Sequence, residues 1–233
     1  EHNKTLNLTN GWNLIPVISN TEVGTVELFD GLGSNLQIVK EAAGSKIYWP
    51  EFGITTLEHL SPGKSYFVRM NSSGSVIFPN NLDGKSFTSA EPENDPVTPW
   101  NTVIRTGSSH VIGIEADALK ILDEGDIIGV FTPDGLCVGI SEAGNTTQNT
   151  SLSAYANDVL TPVKDGFNAN DEMHFRIFRP STSEEGMLNA VFDKNLPNHD
   201  GTFSPEGLSM IMELKRETTG IGNNALVWSV FPN

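Results

Sequence analysis

Asp126-Ile127-Ile128-Gly129-Val130-Phe131, Thr132-Pro133-Asp134-Gly135 and Leu136-Cys137-Val138-Gly139-Ile140 follow one another without interruption and read as one β-hairpin. Two short apolar runs flank four residues in which proline presets φ for the turn and glycine supplies the positive φ that a reversal needs. Working outward, further strands are expected at 109–114, 172–179, 187–192 and 208–214, with Gly, Pro, Asn and Asp gathered between them. Short strands at such spacing predict an antiparallel β-sandwich.

Towards the N-terminus the pattern breaks at Ser89-Ala90-Glu91-Pro92-Glu93-Asn94-Asp95-Pro96-Val97-Thr98-Pro99. Closely spaced prolines hold this backbone near polyproline geometry and the acids keep it solvated, so it reads as a linker, 89–99. It separates a small β-rich domain, 1–88, from the sandwich domain, 100–226, and leaves 227–233 as a distinct C-terminal segment. In the first domain, 11–17 reads as a strand ending at a proline, and 36–40 pairs with 45–49. Residues 65–70 alternate faces and turn at 71–74 into 75–78. Apolar residues three or four apart at 25–32 and 55–60 predict short helices. The expected class is all-β with minor short helices, in two β-sandwich-like domains joined by the Pro-rich linker.

Composition narrows the partners. The 233 residues carry a formal net charge of -15 and a pI of about 4.6. Such a surface repels phosphate backbones and anionic lipid headgroups, which argues against nucleic-acid binding and against membrane insertion or surface attachment by charge. It suits a soluble exported protein and favours divalent cations. A single cysteine, Cys137, leaves no internal disulfide and no multi-cysteine zinc site, and its apolar neighbours make it a packed strand residue. No apolar run approaches the length of a membrane-spanning helix, and the start Glu1-His2-Asn3 reads as a mature or trimmed terminus.

Three stretches carry resemblances. Val227-Trp228-Ser229-Val230-Phe231-Pro232-Asn233 resembles the opening of the type A sorting domain of the type IX secretion system of Bacteroidota, which implies an exported protein whose sorting segment is truncated here. Gly11-Trp12-Asn13-Leu14-Ile15, Leu36-Gln37-Ile38-Val39-Lys40, Tyr48-Trp49-Pro50 and Pro62-Gly63-Lys64-Ser65-Tyr66 look like a module of large Bacteroidota surface proteins. Gly125 to Phe131 followed by Gly135 to Gly139 is similar to a second module of the same proteins, often placed just before the sorting domain. Together they imply β architecture and an extracellular or outer-cell-surface location, and they carry no catalytic residue onto this chain.

Enzyme signatures fail on spacing. Gly63-Lys64-Ser65 and Gly84-Lys85-Ser86 end like phosphate loops, but the glycine required five residues earlier is Glu58 or Pro79. There is no Gly-x-Ser-x-Gly elbow and no His-Glu-x-x-His pair among His2, His59, His110, His174 and His199. The oxygen-rich stretch Asp158, Asp165, Asn168, Asn170 and Asp171 supplies the hard donors that calcium takes, yet lacks the EF-hand register; a β-turn explains the same residues. Tyr48, Trp49 and Trp100 are candidate ligand-binding aromatics, since an exposed ring face matches the apolar face of a pyranose. Tyr48 and Trp49 are adjacent in a strand and therefore point to opposite faces.

These readings converge on a non-catalytic extracellular module pair for adhesion, glycan binding or spacing of neighbouring domains of the same polypeptide. Two alternatives stay open. One is a structural subunit that self-associates by strand addition, with 227–231 as a donor strand. The other is a polysaccharide hydrolase whose acidic pair is brought together only by the fold.

Overall fold

The computed structural model describes residues 4–79, 95–144 and 147–217, and the chain is mostly strand with a few short helices. It divides into two units, Glu1–Asn94 and Asp95–Asn233. The division falls inside the expected linker: Asp95 forms an ion pair with Arg105 and so belongs to the second unit. The segment 227–233 and residues 89–94 lie outside the described residues.

In the first unit the strands are β1 (Thr5–Leu8), β2 (Gly11–Pro16), β3 (Val23–Gly24), β4 (Leu36–Glu41), β5 (Ile47–Trp49), β6 (Ile54–Thr55), β7 (His59–Leu60), β8 (Ser65–Met70) and β9 (Gly74–Ile77). Helix α1 (Thr25–Phe29) runs on into a 3-10 stretch, Asp30–Asn35, as the apolar spacing at 25–32 predicted. An antiparallel sheet of order β2-β8-β4-β5-β6 is joined by two small ribbons, β1-β9 and β3-β7. The expected pairing of 36–40 with 45–49 forms, with Val39 opposite Tyr48 and Lys40 opposite Ile47. One face of this sheet buries Val39, Tyr66, Val68 and Met70 against Phe29, Leu57 and Phe78.

Two expectations here are corrected. Strand β8 does not form a hairpin with 75–78, because both of its edges are already taken by β2 and β4. The turn at 71–73 instead anchors on the 3-10 stretch, where the Asn71 N–H donates to the Asn35 carbonyl at 2.7 Å and the Ser72 hydroxyl meets Asn35 Oδ1 at 2.7 Å. This redirects β9 to pair with β1. Residues 55–60 are extended rather than helical. Thr56 Oγ1 accepts from the Ile47 N–H at 2.9 Å and donates back to its carbonyl, while the Thr56 and Leu57 N–H groups donate to that same carbonyl. Leu57 and Leu60 are buried, so their three-residue spacing reflects a crossing segment that turns over the core.

The second unit contains β10 (Ser109–Ile114), α2 (Ala116–Leu119), β11 (Ile127–Phe131), β12 (Cys137–Glu142), β13 (Thr150–Tyr155), β14 (His174–Arg179), β15 (Glu184–Phe192) and β16 (Leu208–Arg216). The β11–β12 hairpin forms as expected, with a bulge at Val130/Phe131 and Gly135 at a φ of 87°. All seven strands join one sheet of order β12-β11-β14-β15-β16-β10-β13. The sheet is antiparallel, as expected for this domain, except for one parallel pair. Strand β10 has β13 as its antiparallel neighbour, and β16 enters on its other edge in parallel after the excursion through 193–207.

The sheet is coiled enough that its two terminal strands approach. A Cβ on Gly139 of β12 would sit 2.1 Å from the Ser153 carbonyl oxygen of β13, a contact only glycine allows. Inside the curl lie Ile112, Ile128, Val130, Val138, Leu152, Phe175, Ile177 and Ile211, with Phe167 stacked on Phe203 at 5.0 Å. Asp126 ties the start of the hairpin to the end of β14. Its carboxylate accepts from Arg179 Nε at 2.9 Å, from Arg179 Nη2 at 2.7 Å and from the Asp123 N–H at 2.9 Å. Burial pushes this carboxyl up, but the Arg179 and Asp123 bonds outweigh it and leave the group below the usual carboxylate range.

Replacing Gly139 by Ala must displace the Ser153 backbone and is expected to destabilise the second unit by about 3 kcal/mol, whereas Gly144→Ala, with open space around its Cβ, changes little; urea denaturation compares them. Asp126→Asn removes the buried one of the two carboxylates on Arg179, leaving exposed Asp123 at 2.9 Å, and is expected to cost about 1–3 kcal/mol at pH 7. Because Asp126 is depressed in the folded state, its contribution is complete above the unfolded carboxylate pKa and disappears as pH falls through the folded value. Wild-type and Asp126→Asn stabilities therefore converge below about pH 4.

Candidate functional site

Trp49 is fully buried, its ring edge-on to Phe52 at a centroid distance of 4.7 Å, so it is a packing residue and not a ring platform. Tyr48 points to the opposite face, as strand alternation requires, and is half-buried against the core of the first unit; burial, and then the charge of Asp30, raises its phenol above the ordinary value. Trp100 is half-buried and packs within its own unit. It lies over Gly129, edge-on to Phe131 at 5.0 Å and to Phe178 at 6.1 Å, and covers the outer face of its own sheet.

The oxygen-rich stretch folds as linked turns. Asp165 is buried: its Oδ1 accepts from the Asp158 N–H at 2.8 Å and its Oδ2 from the Thr161 hydroxyl at 3.0 Å. Asp158 in turn caps the Leu160 N–H at 2.9 Å. Asp171 caps the Asn168 N–H at 3.0 Å, and Asn170 takes a φ of 68°, the left-handed turn conformation that asparagine tolerates. The positive charge facing this stretch comes from Lys164, 3.5 Å from Asp171 and 2.8 Å from Asp134 on the β11–β12 turn. The Lys164 contact, with further help from Thr132, holds the Asp134 carboxyl down to about 2. Among the described residues no three His, Cys, Asp or Glu side chains converge as a metal site.

Two arrangements have the residue types of nucleophilic catalysis. His110 Nε2 lies 2.9 Å from Ser209 Oγ, but both residues are fully buried. The Ser204 N–H donates to His110 Nδ1, which places the imidazole proton on Nε2, directed at the serine, the reverse of what a general base needs. Cys137 is buried as well, and burial pushes its thiol up to about 12. A strap, residues 95–106, lies against it. The Asn101 amide donates to the Cys137 carbonyl at 2.9 Å and accepts from its N–H at 2.9 Å, so one side chain pairs with edge strand β12 as a neighbouring strand would.

The open polar site is a cleft of about 370 Å³ where β14 and β15 part. Their register runs from Arg179/Glu184 only as far as Phe175/Leu188. Before Phe175 the chain is drawn away from β15, because the Met173 N–H donates to the Gly201 carbonyl at 2.9 Å and Glu172 bridges Thr202. Strand β15 meanwhile continues along β16 to Phe192. Buried Phe175 and Leu188 and half-buried Phe192 line its depth; Glu172, His174, Asn189, Lys194, His199, Asp200 and Glu217 also line it, as half-buried or exposed polar groups. His199 Nδ1 pairs with the Leu196 carbonyl at 2.7 Å, which leaves Nε2 as an acceptor on the neutral ring. Asp200 accepts from the Thr202 N–H at 3.0 Å and hydroxyl at 2.8 Å, and these bonds hold its carboxyl below the usual range. The cleft can thus donate and accept hydrogen bonds above an apolar floor. The sequence gives little warning of it, since these residues come from two strands and a loop and meet only through the register.

Comparison with protein-family models, with curated proteins and with solved structures finds no match to this chain.

Removing the Asn101 amide frees the β12 edge and the strap above Cys137. Asn101→Ala is expected to speed modification of Cys137 by a disulfide reagent about tenfold or more, read by thiol absorbance under native conditions.

Proposed function

We propose that the chain is a non-catalytic module pair of an exported or cell-surface protein, working through its surface in adhesion or in the spacing of neighbouring domains. The observation that carries this reading is where the nucleophile-type groups sit: Cys137, His110 and Ser209 are all buried. Asp126, Asp134 and Asp200, the described acids with displaced pKa values, are all displaced downward by bonds from neighbouring groups. A glycosidase needs one carboxyl held up so that it carries a proton at working pH. Asp200, at the cleft, is held in the opposite sense. The inaccessible thiol and the wrongly directed His110 proton support the same reading.

The acidic composition and the resemblances at 11–15, 36–40, 48–50, 62–66, 125–131, 135–139 and 227–233 support an extracellular address. Purified protein is expected to show no turnover on a panel of plant, algal and bacterial polysaccharides by reducing-end release. Hydrolysis that Glu172→Gln or Asp200→Asn abolishes would establish the hydrolase reading instead.

A further inference from the structure

We infer that the cleft between β14 and β15 is a binding site for a neutral or amine-bearing sugar unit. This rests on the surface-binding reading above and gives it a place and a ligand class. The opening is built by the fold: two neighbouring strands lose their pairing after Phe175/Leu188 because β14 is held by Gly201 and Thr202 while β15 follows β16. Its volume, about 370 Å³, is at the small end of the range for small-molecule sites, roughly 300–1,000 Å³.

Its chemistry selects among ligands. A sugar presents a face of C–H groups and a rim of hydroxyls that each donate and accept. The half-buried Phe192 ring meets the first, and the Asn189 amide and the His174 and His199 imidazoles meet the second. Charge sets the class within the sugars. Glu172, Asp200 and Glu217 face a single ammonium, Lys194, so the cleft repels uronic, sulfated and phosphorylated units and attracts an amine. Asn189 is exposed and no packing depends on it, which makes it the residue that tests the site without testing the fold.

The experiment is a glycan array carrying neutral, amino, uronic and sulfated saccharides, followed by calorimetry with the retained saccharide. Wild-type protein is expected to retain neutral or amino sugars and to pass over the anionic ones. Asn189→Ala combined with His199→Ala is expected to weaken Kd about tenfold or more while circular dichroism shows the fold retained, and exposed Lys120→Ala, just after α2, to leave Kd as it was. Asp200→Asn is expected to weaken amine-bearing sugars more than neutral ones. Retention of the same saccharide with full affinity by the Asn189/His199 variant would overturn the cleft as its site and leave surface binding standing. Retention of anionic sugars alone, or of nothing on the array, would overturn the ligand class, while the non-catalytic reading is decided separately by the turnover assay.

Discussion

The second unit depends on how closely two backbones meet. In a flat seven-stranded sheet, β12 and β13 would be the most distant elements; here Gly139 lies against the Ser153 carbonyl, so the sheet curls and encloses its own core. That curl gives Ile112, Val138, Leu152 and Phe175 a common interior without a second sheet from elsewhere in the chain. The cleft has its own cause: before Phe175, Gly201 and Thr202 take over the backbone partners that β15 gives up.

The acidic composition has a second meaning once the side chains are placed. Asp126 anchors an arginine, Asp165, Asp158 and Asp171 cap loop N–H groups, and Asp134 holds the lysine that links two loops. A sequence rich in Asp and Asn at turns therefore describes how a strand-rich chain satisfies its loop backbone. The same letters read as calcium donors when only spacing is known, because an oxygen that caps an N–H and one that coordinates an ion come from the same residue types.

Much of the strand content was legible for local reasons. The Thr-Pro-Asp-Gly turn, the alternation in Ser65–Met70 and the apolar run Ser109–Ile114 each encode their conformation within a few residues. Partner choice was not local. Whether β9 pairs with β8 or with β1 depends on β2 and β4 having filled both edges of β8, and the parallel β10/β16 pair depends on the path of a distant loop. Strand β13 escaped notice because Thr150–Tyr155 has small and polar residues where a buried strand is expected to show branched ones. The cleft was hidden for the same non-local reason, whereas burial of Trp49 and the packing of half-buried Trp100 followed the ordinary tendency of large aromatics to pack.

The strap has a mechanical meaning. A force drawn along the chain from its N-terminal side enters the second unit at Asp95 and meets the Arg105 ion pair, the Trp100 packing and the Asn101 clamp before it reaches any strand of the sheet. Those contacts are side-chain contacts, loaded one after another like a zipper, and they yield at lower tension than a backbone ladder sheared all at once. Unpeeling residues 95–106 frees a segment whose full contour is at most roughly 40 Å at about 3.4 Å per residue, so the strap yields as a shock absorber before the backbone ladders of the sheet take the load.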